Sequence, residues 1–159
     1  MMTDYEVSVK SVPTVRVAEL TGTAEAMDPS SIGPVVQGLY DQLSAGLGRA
    51  GLVPTGPAIA YYEDADDGAK TVVHAALPVE TDASDEYDFT VTDLPAESRM
   101  ATLLHTGSMD NCLPAYQALD RWIKQGGYRA AGPSREVTLA FTGDVDGWVT
   151  ELQQPIEEV

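Results

Sequence analysis

Glu136 stands where two related segments of this chain part company, and a carboxylate at that point is the first residue that could do chemistry. Gly51-Leu52-Val53-Pro54-Thr55-Gly56-Pro57-Ala58-Ile59-Ala60 and Gly127-Tyr128-Arg129-Ala130-Ala131-Gly132-Pro133-Ser134-Arg135-Glu136 correspond at a shift of 76 residues (127 minus 51), which sets Glu136 against Ala60. The period of two along a strand puts Val137, Leu139 and Phe141 on one face, expected beneath a helix, and Ser134, Glu136, Thr138 and Ala140 on the other. In the matching strand Ile59 and Tyr61 are expected inside, with Ala58, Ala60 and Tyr62 outside. The outer rows are then small side chains plus Tyr62 and Glu136. Small residues at equivalent places leave a concavity, and an aromatic and a carboxylate at its wall suit a cationic or polarised organic ligand. Period alone leaves a second reading open, in which Glu136 points to water from an antiparallel sheet.

Other reactive side chains offer less. His74 and His105 are solitary in the sequence and read as structural or surface residues. Cys112 has no nearby His or second Cys and reads as a packed residue at a helix start. Asp64-Ala65-Asp66-Asp67-Gly68 has the acid spacing of a calcium loop but lacks its downstream ligands, so it reads as a turn. No metal or cofactor is expected. Tyr116 and Trp122 read first as helix-core residues, with Tyr116 able to edge into the concavity, and Trp148 divides evenly between core and pocket.

The elements that must hold these residues follow from periodicity. Val12, Val15, Val17 and Leu20 mark a strand. Asp28-Pro29-Ser30-Ser31 supplies capping residues for a helix that runs through Ile32, Val35, Val36, Leu39, Tyr40, Leu43 and Leu47 and ends at Gly51. Strands Ala58 to Glu63 and Lys70 to Val79 form a hairpin about Asp66-Asp67-Gly68. The second copy opens with Tyr87, Phe89 and Val91 alternating with polar residues, then a strand from Glu97 to His105. A helix capped by Asp110 or Asn111 follows, with Ala115, Leu119, Trp122 and Ile123 buried before Gly126-Gly127. Strands Ser134 to Thr142 and Trp148 to Pro155 close it. The expected architecture is α+β: one domain over residues 1–159, built from repeats at about 10–80 and 90–157. Each repeat is a strand-helix-hairpin module, and the two join one antiparallel sheet with both helices on one face and a ligand cleft at the pseudo-twofold axis.

Composition narrows the function classes. With 9 Lys plus Arg against 25 Asp plus Glu, a formal charge of -16 repels phosphate backbones, so direct nucleic-acid binding is not expected. No apolar run approaches the ~20 residues of a membrane span. One cysteine and no apolar leader point to a reducing cytoplasm.

The segments Leu94-Pro95, His105-Thr106-Gly107, Ala115-Tyr116-Gln117-Ala118-Leu119-Asp120-Arg121-Trp122-Ile123, Gly127-Tyr128, Gly132-Pro133, Glu136, Thr150-Glu151-Leu152 and Pro155-Ile156 resemble the GyrI-like small-molecule-binding domain. This is also the effector-binding domain of some MerR-type and AraC-type transcription activators, and the resemblance covers essentially the whole chain. It implies a twofold-repeated module, a central cleft and a glutamate that receives lipophilic cations, matched here by Glu136 after Gly132-Pro133. Two positions depart from the family habit of aromatic residues: Thr138, two beyond the glutamate, and Met109, two beyond Gly107. Thinner caging weakens a cation–π attraction of roughly 0.5–2 kcal/mol per contact, while Met109 can still cover a flat ligand. No helix-turn-helix precedes Val7, so a free-standing member is expected. Three functions compete on this reading. The first is binding of lipophilic, cationic or planar aromatic compounds. The second is hydrolysis of electrophilic cyclopropane-bearing natural products, with Glu136 activating water or donating a proton and Tyr62 or Trp148 holding the ligand. The third is an acidic protein-interaction factor, such as a gyrase modulator, that docks a basic partner.

Overall fold

The computed structural model describes residues 5–65, 70–141 and 143–159. The Asp66-Asp67-Gly68 turn and Thr142 lie outside the described residues. In chain order the elements are β1 (Ser8–Val12), β2 (Val15–Ala24), α1 (Pro29–Arg49), β3 (Ile59–Asp64), β4 (Thr71–Pro78), β5 (Thr90–Leu94), β6 (Glu97–Thr106), α2 (Leu113–Gln125), β7 (Tyr128–Ala130), β8 (Arg135–Ala140) and β9 (Val149–Glu158), with 3-10 turns at Met109–Asn111 and Val145–Gly147. Contacts divide them into a first unit, Thr14–Pro95, and a second unit, Ala96–Val159 with the described residues up to Pro13. Among the described residues no helix is long and apolar enough to cross a membrane.

In the first unit the strands run in the order β3-β4-β2-β5, all antiparallel, and α1 covers one face. Asp28 starts α1: its carboxylate accepts from the Ser31 N–H at 2.8 Å, and Pro29 occupies the first turn, where no backbone donor is needed. Leu39, Leu43 and Leu47 form the buried stripe, packing on Ala18, Leu77, Val79 and Phe89 and on Ala24, Val73 and Ala75. Each fully buried leucine contributes roughly 1.5–3 kcal/mol relative to exposure. The helix stops at Gly51 as the sequence implies. Gly51 adopts a φ of 72°, and Leu52 N–H to Leu47 O at 2.9 Å with Gly51 N–H to Gly48 O at 3.2 Å completes the closing pair of hydrogen bonds.

The second unit has the order β1-β6-β9-β8, with β7 pairing β9 beyond the end of β8. Ala115, Leu119 and Ile123 of α2 pack on Ala101, Leu103, Leu152 and Ile156. Gly127, at a φ of 81°, is the shift-76 counterpart of Gly51. The start of α2 differs from expectation. Asp110 and Asn111 are taken up by the 3-10 turn, whose own cap is Ser108 (Asp110 N–H to Ser108 Oγ, 3.1 Å), and Cys112 stands at the helix cap with no side-chain bond.

The fold is α+β, and each unit carries the duplicated module, β2-α1-β3-β4 in one and β6-α2-β8-β9 in the other. The edges were less legible. The expected strand from Val12 to Leu20 breaks at Pro13, which has no N–H for a ladder. Its first part becomes β1, which pairs β6, while β2 runs on to Ala24. Tyr87 and Phe89 precede β5 and stack on each other at 4.8 Å against the α1 core. β7 had no sequence signal, being three residues long.

Candidate functional site

Glu136 lies on the face of β8 that α2 covers. In the antiparallel register it sits opposite Leu152, which is fully buried in the α2 core. Val137 takes the far face opposite Glu151, and Leu139, at a register break, and Phe141 are 50% and 72% exposed. The expected sides are therefore reversed. The same holds for β3. Ala60 and Tyr62 pair with Ala75 and Val73 and so face α1, where Tyr62 packs on the core, whereas Ile59 and Tyr61 take the far face. The cause is that the far faces are buried as well, by Val17, Ile59 and Ala76 in one unit and Val137 and Arg135 in the other. Apolar residues on both faces leave period-two alternation unable to say which side a helix covers.

The carboxylate meets an aromatic hydroxyl there. Tyr116, in the first turn of α2 beside Ala115, donates its O–H to Glu136 Oε2. Cys112, one helical turn earlier, is buried, and its thiol is pushed up to about 11, chiefly by burial and then by the negative charge of Glu136. Thr138 pairs with buried Thr150, which pairs in turn with His105 on β6, giving a polar row on the α2 side. His105 is buried. Its Nε2 must donate to the Ser108 carbonyl at 2.9 Å, since a carbonyl can only accept, and its Nδ1 has no protein partner among the described residues. Met109 packs half-buried against the α2 core in the turn before Cys112. Trp148 stacks on Phe141 at 4.6 Å, and its carbonyl accepts from Gly107 N–H at 2.8 Å, where Gly107 holds a φ of 101°. Of the predicted residues, Tyr116 and Glu136 are thus directly joined. Thr138 follows Glu136 on the same face, Met109 and Trp148 belong to the same unit, and Ala60 and Tyr62 belong to the first unit.

A groove of about 430 Å³ runs along α2, lined by Tyr116, Leu119 and Ile123 from the helix and by Tyr128 and Gln154 from the strands, with Lys124, paired to Asp120, and Arg129, paired to Glu157, also at its wall. That volume suits a small organic molecule. Tyr116 is at once part of its wall and the donor to Glu136. Leu119 and Ile123 went unnamed as lining because core and groove residues share one helical stripe, and Tyr128 and Gln154 because the pairing of β7 with β9 had no signal in the sequence. No group of three or more His, Cys, Asp or Glu among the described residues could hold a metal ion.

The family model of the GyrI-like small molecule binding domain matches residues 5–157. The EcmrR C-terminal domain has a similar fold, with a TM-score of 0.80 and 23% identity over 98% of this chain and 99% of that one. EcmrR in its DNA complex within EcmrR-RPo gives the same TM-score at 24% identity, again over 98% of this chain, which spans 58% of that chain's length. SAV2435 bound to tetraphenylphosphonium is similar at a TM-score of 0.66 and 12% identity over 98% of this chain and 94% of that one. No curated protein matches. The family model spans all but the first four and last two residues of the chain, and with the duplicated module already described the chain belongs to the GyrI-like small molecule binding domains.

Proposed function

We propose that this protein binds lipophilic, cationic or planar aromatic small molecules in the second unit, with Glu136 as the counter-charge. The observation that carries the reading is the Tyr116–Glu136 pair: a partly buried carboxylate on the α2 side of β8, tied to a tyrosine that also walls the groove along α2. Coulomb attraction grows as water is excluded, so a partly buried carboxylate draws a cation that leaves water readily. Tyr116 offers a π-face, Met109 an adaptable thioether and Thr138 a small polar neighbour, while Trp148 adds a second aromatic surface. The similar SAV2435 structure holds tetraphenylphosphonium, which recommends that ion as a probe. Titration should give micromolar affinity, about -8 kcal/mol, and Glu136→Gln should weaken it by roughly 1–3 kcal/mol because shape is kept and charge removed. Equal affinities for wild type and variant would remove Glu136 from the role.

Hydrolysis of a strained cyclopropane is a second reading, favoured by one observation. The Tyr116 hydroxyl gives Glu136 a second proton-carrying group within reach, which spacing alone did not provide. General acid-base assistance of about 10²- to 10⁴-fold is the expected scale. Mass spectrometry of a cyclopropane-bearing alkylator incubated with the protein decides it: ring opening above the buffer blank that is lost in Glu136→Gln supports an enzyme, and rates equal to the blank leave a binder.

A further inference from the structure

On the face away from α1, the sheet of the first unit holds an imidazole between two carboxylates. His74 on β4 has its Nε2 3.1 Å from Glu63 Oε2 on β3, a hydrogen-bond contact, and its Nδ1 3.5 Å from Glu19 Oε2 on β2, an ion-pair distance at which the buried nitrogen completes no hydrogen bond. Its ring stacks on Tyr61 of β3, with centroids 4.2 Å apart and planes within 6°, and the Tyr61 hydroxyl donates to Glu19. Register explains the meeting. Tyr61 and Thr21 are the cross-strand partners of His74 on its two sides; on the same face Glu63 lies two residues after Tyr61 and Glu19 two residues before Thr21.

A neutral imidazole donates from one nitrogen only, so it serves one of these carboxylates and turns a lone pair toward the other. The protonated ring donates from both nitrogens and places its positive charge between two negative ones. We propose that His74 is a pH-operated clamp, which in its protonated form ties β2 and β3 to β4 and slackens when the proton leaves. The groups facing the ring are Glu19 from β2 and Glu63 with the Tyr61 hydroxyl from β3, and β4 itself carries no other charged side chain. The strand it secures, β3, presents Ala60 and Tyr62 on its opposite face.

The electrostatics agree with the geometry. Burial is the largest single influence on His74 and favours the neutral ring, but close contact with the charges of Glu19 and then Glu63 outweighs it and holds the ring above its ordinary 6.5. Burial is also the largest influence on Glu19 and acts to raise its carboxyl, yet the close contact with His74 and the hydrogen bond from Tyr61 carry it below its ordinary 4.5. A group raised on folding stabilises fully below its unfolded value and loses that contribution as pH rises through the folded value; a depressed carboxylate behaves in the opposite sense. The clamp therefore holds in mildly acidic solution. It loosens toward alkaline pH as His74 deprotonates, and again in strong acid as Glu19 is protonated.

The chain has two histidines, so the imidazole resonances are assigned by comparison with His74→Gln. In ligand-free protein, NMR titration should give a His74 midpoint above 6.5, lowered in Glu63→Gln. The Tm of wild type relative to His74→Gln should be higher by several degrees in mild acid, a gap that closes as pH rises through the His74 midpoint found by NMR. A midpoint at or below 6.5, or one unmoved in Glu63→Gln, overturns the clamp, as does a Tm gap that stays flat with pH. If His74→Gln does not fold, His105→Gln makes the assignment, and the wild-type and Glu63→Gln titrations decide alone. Neither readout involves a ligand, so the result stands apart from that of the binding experiment.

Discussion

A carboxylate that faces a helix changes the chemistry of whatever lies beside it, and Cys112 reports that change directly. Its thiol is held at about 11 by burial first and by Glu136 second. Because it is the only cysteine in the chain, alkylation with iodoacetamide reads this one group. The rate should stay low through neutral pH and rise with a midpoint near 11, and Glu136→Gln should move that midpoint part of the way down, since burial remains. A wild-type midpoint at the ordinary 9.0 would contradict the packing, and an unmoved midpoint in the variant would place the charge elsewhere. The repeat sets Glu136 against Ala60 in the sequence, which is what singles it out as a candidate. Its partner Tyr116 could be named only as a helix residue near the concavity, since the hydrogen bond depends on which face of β8 turns to α2.

At the scale of elements, the helices were legible because their signals are local: an Asp28 cap, leucines at three and four, and glycine, the residue type that takes a positive φ without strain, at 51 and 127. The faces of β3 and β8 were not, since both sides of each sheet bury apolar residues, and the pairing of β1 with β6 joins segments far apart in the chain. How closely α1 rides on its sheet is fixed at Gly22 on β2. A Cβ there would meet Val35 Cγ1 at 3.1 Å and Leu39 Cδ1 at 3.4 Å, whereas one at Gly38 on α1 would meet nothing within 4 Å. Gly22→Val should therefore destabilise by roughly 1–3 kcal/mol through overpacking, and Gly38→Ala should stabilise by up to about 1 kcal/mol through helix propensity. Urea denaturation checks both. A Gly22→Val protein as stable as wild type would mean that α1 can shift without cost.

At the scale of the whole molecule, the duplication organised the reading, and what it could not supply is the chemistry of the ligand. The surplus of acid complicates any test with a cation, because a formal charge of -16 attracts positive ions without a site. Salt near 0.15 M, where the Debye length is about 8 Å, suppresses that background and leaves short-range pairing. The decisive comparison uses two ions of nearly the same shape and opposite charge, tetraphenylphosphonium and tetraphenylborate, titrated into wild type and Glu136→Gln under those conditions. The account predicts that wild type prefers the phosphonium by at least about tenfold, or ~1.4 kcal/mol, and that Glu136→Gln narrows the gap by losing affinity for the cation while gaining it for the anion. Equal binding of the two ions by wild type, or a preference that survives unchanged in Glu136→Gln, would contradict the claim that Glu136 is the counter-charge of the site.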